Sequence, residues 1–246
     1  MGEIFLEVRD HVALLTVDAP QARNGLTPAM GRQMAALCDE IDHNPELAVT
    51  VVRGAGGTFC SGADRGTLAR GEASPAEDTQ YKDIGAVYDA FVRVGRLQTA
   101  TIAAVRGAAV GAGLNLMLAT DLRVVATDAR IIAGFLRIGI HPGGGFFTLA
   151  SRQGGREAAA ALGLFGEEVD GRRAVELGLA WTHVPDDEVE PTALRLAGQA
   201  ADDPELTRAA VRSFRTETGP PAVAWEVALG YERPTQMWSL QRRSSR

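Results

Sequence analysis

The sequence predicts an α/β fold built on a largely parallel sheet. Three observations predict it. Glycine-rich turns at residues 54–64 and 107–113 each follow a short apolar strand, a helix opens directly out of the second turn, and a further strand follows that helix. Strand, turn, helix and strand in that order is the signature of βαβ units, in which parallel strands need a crossover to reach one another.

Taken in order, residues 4–8 and 11–17 alternate apolar and polar and are split by Arg9 and Asp10, which predicts a hairpin. Residues 19–26 form a loop containing Pro20 and Asn24. Thr27 followed by Pro28 has the form of a helix cap with proline in the first turn. The helix is expected to run to about His43, with Met30, Met34, Leu37 and Ile41 on one face. Asn44 and Pro45 end it, and residues 49–53 are a short buried strand. Residues 65–79 are polar, with Gly71, Ser74 and Pro75, and are expected to be a mobile loop. Residues 81–97 carry helical spacing through Ile84, Val87, Tyr88, Phe91 and Val94. Strands are expected at 101–105 and 121–126 and a helix at 114–119. From Gly143 onward the pattern is helical, broken at Asp170–Gly171 and Asp203–Pro204, with one late strand at 182–184. The predicted plan is an α/β core over residues 1–190 and a helical region over 191–246, with a frayed basic tail from Arg242.

Composition narrows the function classes. The 246 residues hold 25 basic and 31 acidic side chains, a net charge of −6, and Lys82 is the only lysine. An acidic chain lacks the basic face of a general nucleic-acid binder. At 46% apolar it can bury a sizeable core. Cys38 and Cys60 are too few for a disulfide scaffold. His11, His43 and His183 do not cluster with cysteine, so no metal is expected. The first residues carry Glu3 and Glu7 rather than a signal sequence, and the most apolar stretch, 101–119, is interrupted by Arg106 and Asn115. A soluble cytoplasmic protein without membrane association is expected.

The two glycine turns are the candidate chemistry. Small residues let backbone N–H groups approach a ligand, and a helix N-terminus favours developing negative charge. Two such turns facing one another would give two donors to one carbonyl oxygen, an oxyanion hole. Close packing of strand on helix selects the same small residues. There is no GxGxxG motif and no P-loop lysine.

Five ordered segments resemble the enoyl-CoA hydratase/isomerase (crotonase) superfamily. Residues 104–125 (AVRGAAVGAGLNLMLATDLRVV) resemble its signature. Residues 59–64 (FCSGAD) resemble its FxxGAD element and residues 20–26 its PxxxNAL loop. Residues 139–145 (GIHPGGG) are similar to its GxxPGxG segment, and residues 168–184 to its AxxxGLV element. The resemblance implies a spiral of ββα units with a C-terminal helical trimerisation region, assembled as a homotrimer or hexamer. It implies an acyl-CoA thioester as substrate or ligand, with no separate cofactor. By motif position, the backbone N–H groups of Ala63 and Ala112 would be the oxyanion donors. Gln21, Ala22, Arg23, Cys60, Gly62 and Gly111 would lie along coenzyme A.

The sequence also departs from the family. Its hydratases activate water with two glutamates, and the corresponding positions here are Asn115 and Phe135. No glutamate occurs between Glu77 and Glu157. Asn cannot act as a general base and Phe cannot transfer a proton. The expectation is therefore an enzyme of lyase or isomerase type that stabilises a thioester enolate with non-standard acid–base groups, ordinary hydration being doubtful. The alternatives are a non-catalytic acyl-CoA carrier or sensor, or a scaffolding trimer. Replacement groups are His141, as acid or base; Asn115, orienting water or a polar acyl group; and Asp64, as a base unless it caps a turn. Arg137 is a candidate partner for a substrate carboxylate, and Glu72, Glu77 and Asp78 for folding over a ligand.

Overall fold

The structure is a computed structural model describing residues 2–73, 78–219 and 221–244. It has the mixed α/β architecture expected. The hairpin forms from β1 (Glu3–Arg9) and β2 (Val12–Asp18), turned at Asp10 with φ of 51°. Thr27 caps α1 (Pro28–His43) by accepting from the Met30 N–H at 3.2 Å. Then come β3 (Val49–Gly54), α2 (Arg65–Ala73), α3 (Asp78–Val94), β4 (Ala100–Val105), β5 (Ala108–Val110) and α4 (Ala112–Ala119). After these follow β6 (Leu122–Ala126), β7 (Arg130–Ile132), α5 (Phe146–Gly163), β8 (Glu168–Val169), α6 (Gly171–Glu176) and β9 (Thr182–Val184). The chain continues with α7 (Val189–Ala201), α8 (Pro204–Thr218) and α9 (Trp225–Ser244).

The main sheet has the order β1-β2-β3-β4-β6-β9. β1 and β2 are antiparallel and every later neighbour is parallel, with Leu14 opposite Val51, Val51 opposite Ile102 and Ile102 opposite Leu122. A second, smaller sheet, β5-β7-β8, stands apart from it. Helices α1, α3 and α4 pack in series, and α7 lies on β3, β4 and β6 with Ala193, Ala197 and Ala201 buried. The core runs through Leu14, Leu15, Val51, Val52, Leu114, Met117 and Val124.

Two arginines tie the C-terminal helices to this core. Arg208 donates to the carbonyls of Asn44 and Asp42, at 2.9 Å each, satisfying the open end of α1. Arg215 pairs with Asp121 at 2.7 Å, and the same carboxylate accepts from Thr101. A third, Arg123, is buried under carbonyls of Leu179 and Thr120, and burial pushes its guanidinium down to about 10. Among the described residues no helix is long and apolar enough to cross a membrane.

Several sequence expectations need correction. The expected loop at 65–79 is helical on both sides of residues 74–77, which lie outside the described residues together with Ser245 and Arg246 of the tail. Asp64 explains the helix: its carboxylate accepts from the Gly66 N–H at 2.8 Å and thereby starts α2 in a segment with little apolar pattern. α3 begins at Asp78 rather than residue 81. Strands β5, β7 and β8 are two or three residues long, too short to show a period in sequence.

Two glycines separate helix packing from helix propensity. A Cβ on Gly31 of α1 would lie 2.0 Å from the Ala86 carbonyl oxygen of α3, whereas one on Gly85 would meet nothing within 4 Å. Gly31→Ala is expected to destabilise the protein by about 1–3 kcal/mol through overpacking. Gly85→Ala should stabilise it by about 0.5–1 kcal/mol through helix propensity. Urea denaturation midpoints check both. Cys38 and Cys60 are buried, and burial raises both thiols to about 12. Native protein should therefore resist thiol alkylation at pH 8 and react only on unfolding. Because the unfolded thiols ionise near 9 while the folded ones stay neutral, stability should fall as pH rises from about 9 towards 12, which denaturant titration across that range reads directly.

Candidate active site

Three loops are laced together by backbone hydrogen bonds. The Cys60 N–H donates to the Ala108 carbonyl and the Val110 N–H to the Cys60 carbonyl, both at 3.0 Å, joining the two glycine turns as a short parallel bridge. Leu26 N–H donates to the Gly62 carbonyl at 2.7 Å and Asp64 N–H to the Leu26 carbonyl at 2.9 Å, adding the loop at 19–26. The approach is too close for side chains. A Cβ on Gly113 would sit 2.1 Å from the Cys60 oxygen, and one on Gly62, at φ of +99°, would sit 2.8 Å from the Val110 oxygen. Asn24, fully buried at φ of 57°, locks the loop. Its amide donates to the Ala55 and Thr58 carbonyls at 2.8 and 2.6 Å, and its oxygen accepts from the Ala19 N–H.

This lacing leaves two donors unused. Among the described residues, neither the Ala63 nor the Ala112 N–H takes part in the turn and loop hydrogen bonds. Ala112 is the first residue of α4, where the preceding Gly111, at φ of 53°, offers no side-chain cap. The two turns are adjacent here, since a Cβ on Gly62 would lie 3.6 Å from the Ala112 nitrogen.

Beside these donors opens a cleft of about 740 Å³. Ala63, Asp64, Ala112, Asn115 and His141 border it, as do Gln21, Ala22, Arg23, Gly62 and Gly111. Cys60 does not. It lies fully buried behind the turn, with its thiol near the Gly62 carbonyl. Asp64 is the only carboxylate of the cleft wall among the described residues, and both its oxygens are engaged by Gly66 and Thr67 at the start of α2. Asp78 pairs with Lys82 on an exposed face, and Glu77 lies outside the described residues.

His141 is exposed on the cleft rim. Its Nδ1 donates to the Pro142 carbonyl at 2.7 Å, because a carbonyl can only accept, which leaves Nε2 as the free lone pair of the neutral ring. Asn115 is only 1% exposed. Its amide nitrogen donates to the Gly143 carbonyl at 3.0 Å, and that contact fixes the amide orientation. Its Oδ1 is buried and has no partner, a state that costs roughly 1–3 kcal/mol. Phe135 borders the cleft and packs on Phe146 at 5.5 Å between ring centroids.

Tyr88 has the spacing of a residue on the apolar face of α3. It packs on Phe91 at 5.6 Å, borders the cleft, and presses its hydroxyl so closely on Gly143 that a Cβ there would lie 2.1 Å from it. A tyrosine spaced like a core residue gives no sequence signal of this. Arg65 stands at the same cleft. With Arg23 it stands exposed at the cleft, and neither has an ion-pair partner among the described residues. Arg137 also borders the cleft and leans its charge on Glu168, helping to hold that carboxyl below its ordinary range after the larger effect of Arg130.

The chain is 41% identical over 217 residues to the probable enoyl-CoA hydratase EchA14 of Mycobacterium tuberculosis, covering 88% of this chain and 83% of that one. Its fold matches the crystal structure of an enoyl-CoA hydratase from Polaromonas sp. JS666 with a TM-score of 0.87 at 27% identity, covering 97% and 92% of the two chains. It also matches a structure from Thermobifida fusca YX described as a putative enoyl-CoA hydratase in complex with CoA, with a TM-score of 0.84 at 25% identity, covering 99% and 95%. The enoyl-CoA hydratase/isomerase family model aligns with residues 7–227, and the chain belongs to that family of acyl-CoA-binding enzymes.

Proposed function

We propose that the cleft binds an acyl-CoA thioester and polarises its carbonyl through the Ala63 and Ala112 N–H groups, without the paired glutamates used by hydratases of the resembled family. The observation that carries this reading is the pair of unengaged backbone donors on adjoining turns at the wall of one cleft. Fixed dipoles of this kind stabilise an enolate oxygen without reorganising. The exposed Arg23 and Arg65 are suited to the phosphates of coenzyme A, since guanidinium forks match phosphate geometry. The aromatic wall of Phe135 and Tyr88 suits an acyl chain.

His141 is the acid–base group of this reading. Its Nε2 accepts the proton leaving the acyl α carbon, while the C–H electron pair moves into the enolate and its charge onto the carbonyl oxygen. The Asp64 carboxylate is committed to α2, and Asn115 cannot take up a proton. Coenzyme A arrives with the substrate, so no separate cofactor is required. We also infer a homotrimer or hexamer assembled through the C-terminal helices, where Phe214, Tyr231, Met237 and Leu240 are each half exposed.

Calorimetry with acyl-CoA thioesters is the first test: binding is expected in the micromolar to millimolar range, and no binding at millimolar ligand refutes the reading. Ala112→Pro removes one donor at a helix position that tolerates proline. It should lower turnover of a responsive thioester about 10²–10³-fold with circular dichroism unchanged. His141→Ala should lower turnover about 10²–10⁴-fold while leaving thioester affinity nearly intact. Unaltered turnover in that variant removes the histidine from the mechanism.

A further inference from the structure

We propose that the Tyr88 hydroxyl makes the cleft selective for acyl thioesters that carry a ketone oxygen on the acyl chain, to which it donates a hydrogen bond. The proposal rests on the acyl-CoA reading above and adds a specificity-determining residue to it. Tyr88 borders the cleft from α3 and is partly exposed. Its hydroxyl has no hydrogen-bond partner among the described residues. It is not one of their buried unpaired atoms either, so it keeps accessible surface at the cleft wall. Packing does not account for this hydroxyl. The ring lies 5.6 Å from that of Phe91, a contact that phenylalanine would make as well. The hydroxyl stands so close to Gly143 that a Cβ there would lie 2.1 Å away, so the loop must yield space to it.

The surroundings of the hydroxyl set the ligand chemistry. Ile84 and Val87 of the same helix, with Phe135 and Ile140, give the cleft an apolar lining, and in such a lining a single polar tip fixes how a chain lies. Of the two hydroxyls on the described wall, that of Ser61 donates to the Ala22 carbonyl at 3.2 Å, so Tyr88 holds the free one. The Asn115 amide nitrogen is likewise taken, by the Gly143 carbonyl. A ketone oxygen only accepts, and one donor completes it. An acyl hydroxyl would bring a proton of its own to an apolar wall, and a carboxylate would need a cation, which Tyr88 does not contact among the described residues. A saturated chain leaves the tyrosine hydroxyl unpaired.

Titration calorimetry on the full chain with pentanoyl-CoA, 3-oxopentanoyl-CoA, 4-oxopentanoyl-CoA and free coenzyme A tests this. Wild type is expected to bind at least one of the oxoacyl thioesters about tenfold more tightly than the saturated one. Tyr88→Phe, which keeps the ring against Phe91, should bring that pair within about twofold by weakening the oxoacyl ligand. Should it fail to fold by circular dichroism, Tyr88→Leu must show the same loss. Infrared spectra of the bound ligand, isotope-labelled at the ketone, give a readout that packing alone does not move. The ketone band should lie at lower frequency in wild type than in the variant. Equal affinities in wild type, a preference surviving in the variant, or an unshifted band overturns the proposal and leaves the acyl-CoA reading standing. Failure of every thioester to bind overturns that reading and this one with it.

Discussion

The seam between the two glycine turns is the constraint on which the rest of the molecule depends. Cys60 exchanges backbone hydrogen bonds with the segment around Ala109, and Gly113 and Gly62 lie so near opposing carbonyls that any side chain would collide. Backbone against backbone at this range joins the end of β3 to the start of α4, and so joins the main sheet to the second sheet through β5. Among the described residues, the same geometry leaves the Ala63 and Ala112 N–H groups outside the turn and loop hydrogen bonds. The close packing of the two turns and the exposure of those two donors to the cleft thus come from one contact.

Buried polar groups show where this scaffold serves stability and where it is left incomplete. Asn24, Arg123 and Arg208 are each buried against several partners, and each ties distant segments together: a loop to a turn, β6 to the residues before β9, and α8 to the end of α1. Asn115 is as deeply buried but only half satisfied. A polar group desolvated without a partner works against folding, and this one belongs to a residue of the cleft wall beside two open backbone donors.

The charge distribution points the same way. The chain is acidic overall, yet the described cleft wall holds one carboxylate, spent on starting α2, and presents arginine to solvent. The acidic residues are instead spread over ion pairs such as Arg93 with Asp39 and Arg130 with Glu168. An anionic ligand therefore meets a locally favourable entrance on an unfavourably charged protein.

The sequence by itself determined the main sheet, the capped α1 and the identity of the two turns. Those depend on local rules: alternation in the hairpin, Thr27 before Pro28, glycine where φ is positive. It also located most of the cleft wall, because Ala63, Ala112, Asn115 and His141 lie in segments with recognisable order. The tertiary structure alone decided what local rules do not encode. The helix at Arg65–Ala73 has little periodic apolar pattern and depends on the Asp64 cap, and β5, β7 and β8 are strands only because a neighbour pairs with them. Tyr88 reads as a core residue until α3 is packed against Gly143, and Cys60 reads as a turn residue until burial puts its thiol behind the seam. Above all, sequence shows an asparagine at position 115 but not which end of its amide is satisfied, since hydrogen-bond partners 28 residues away exist only once the chain has folded.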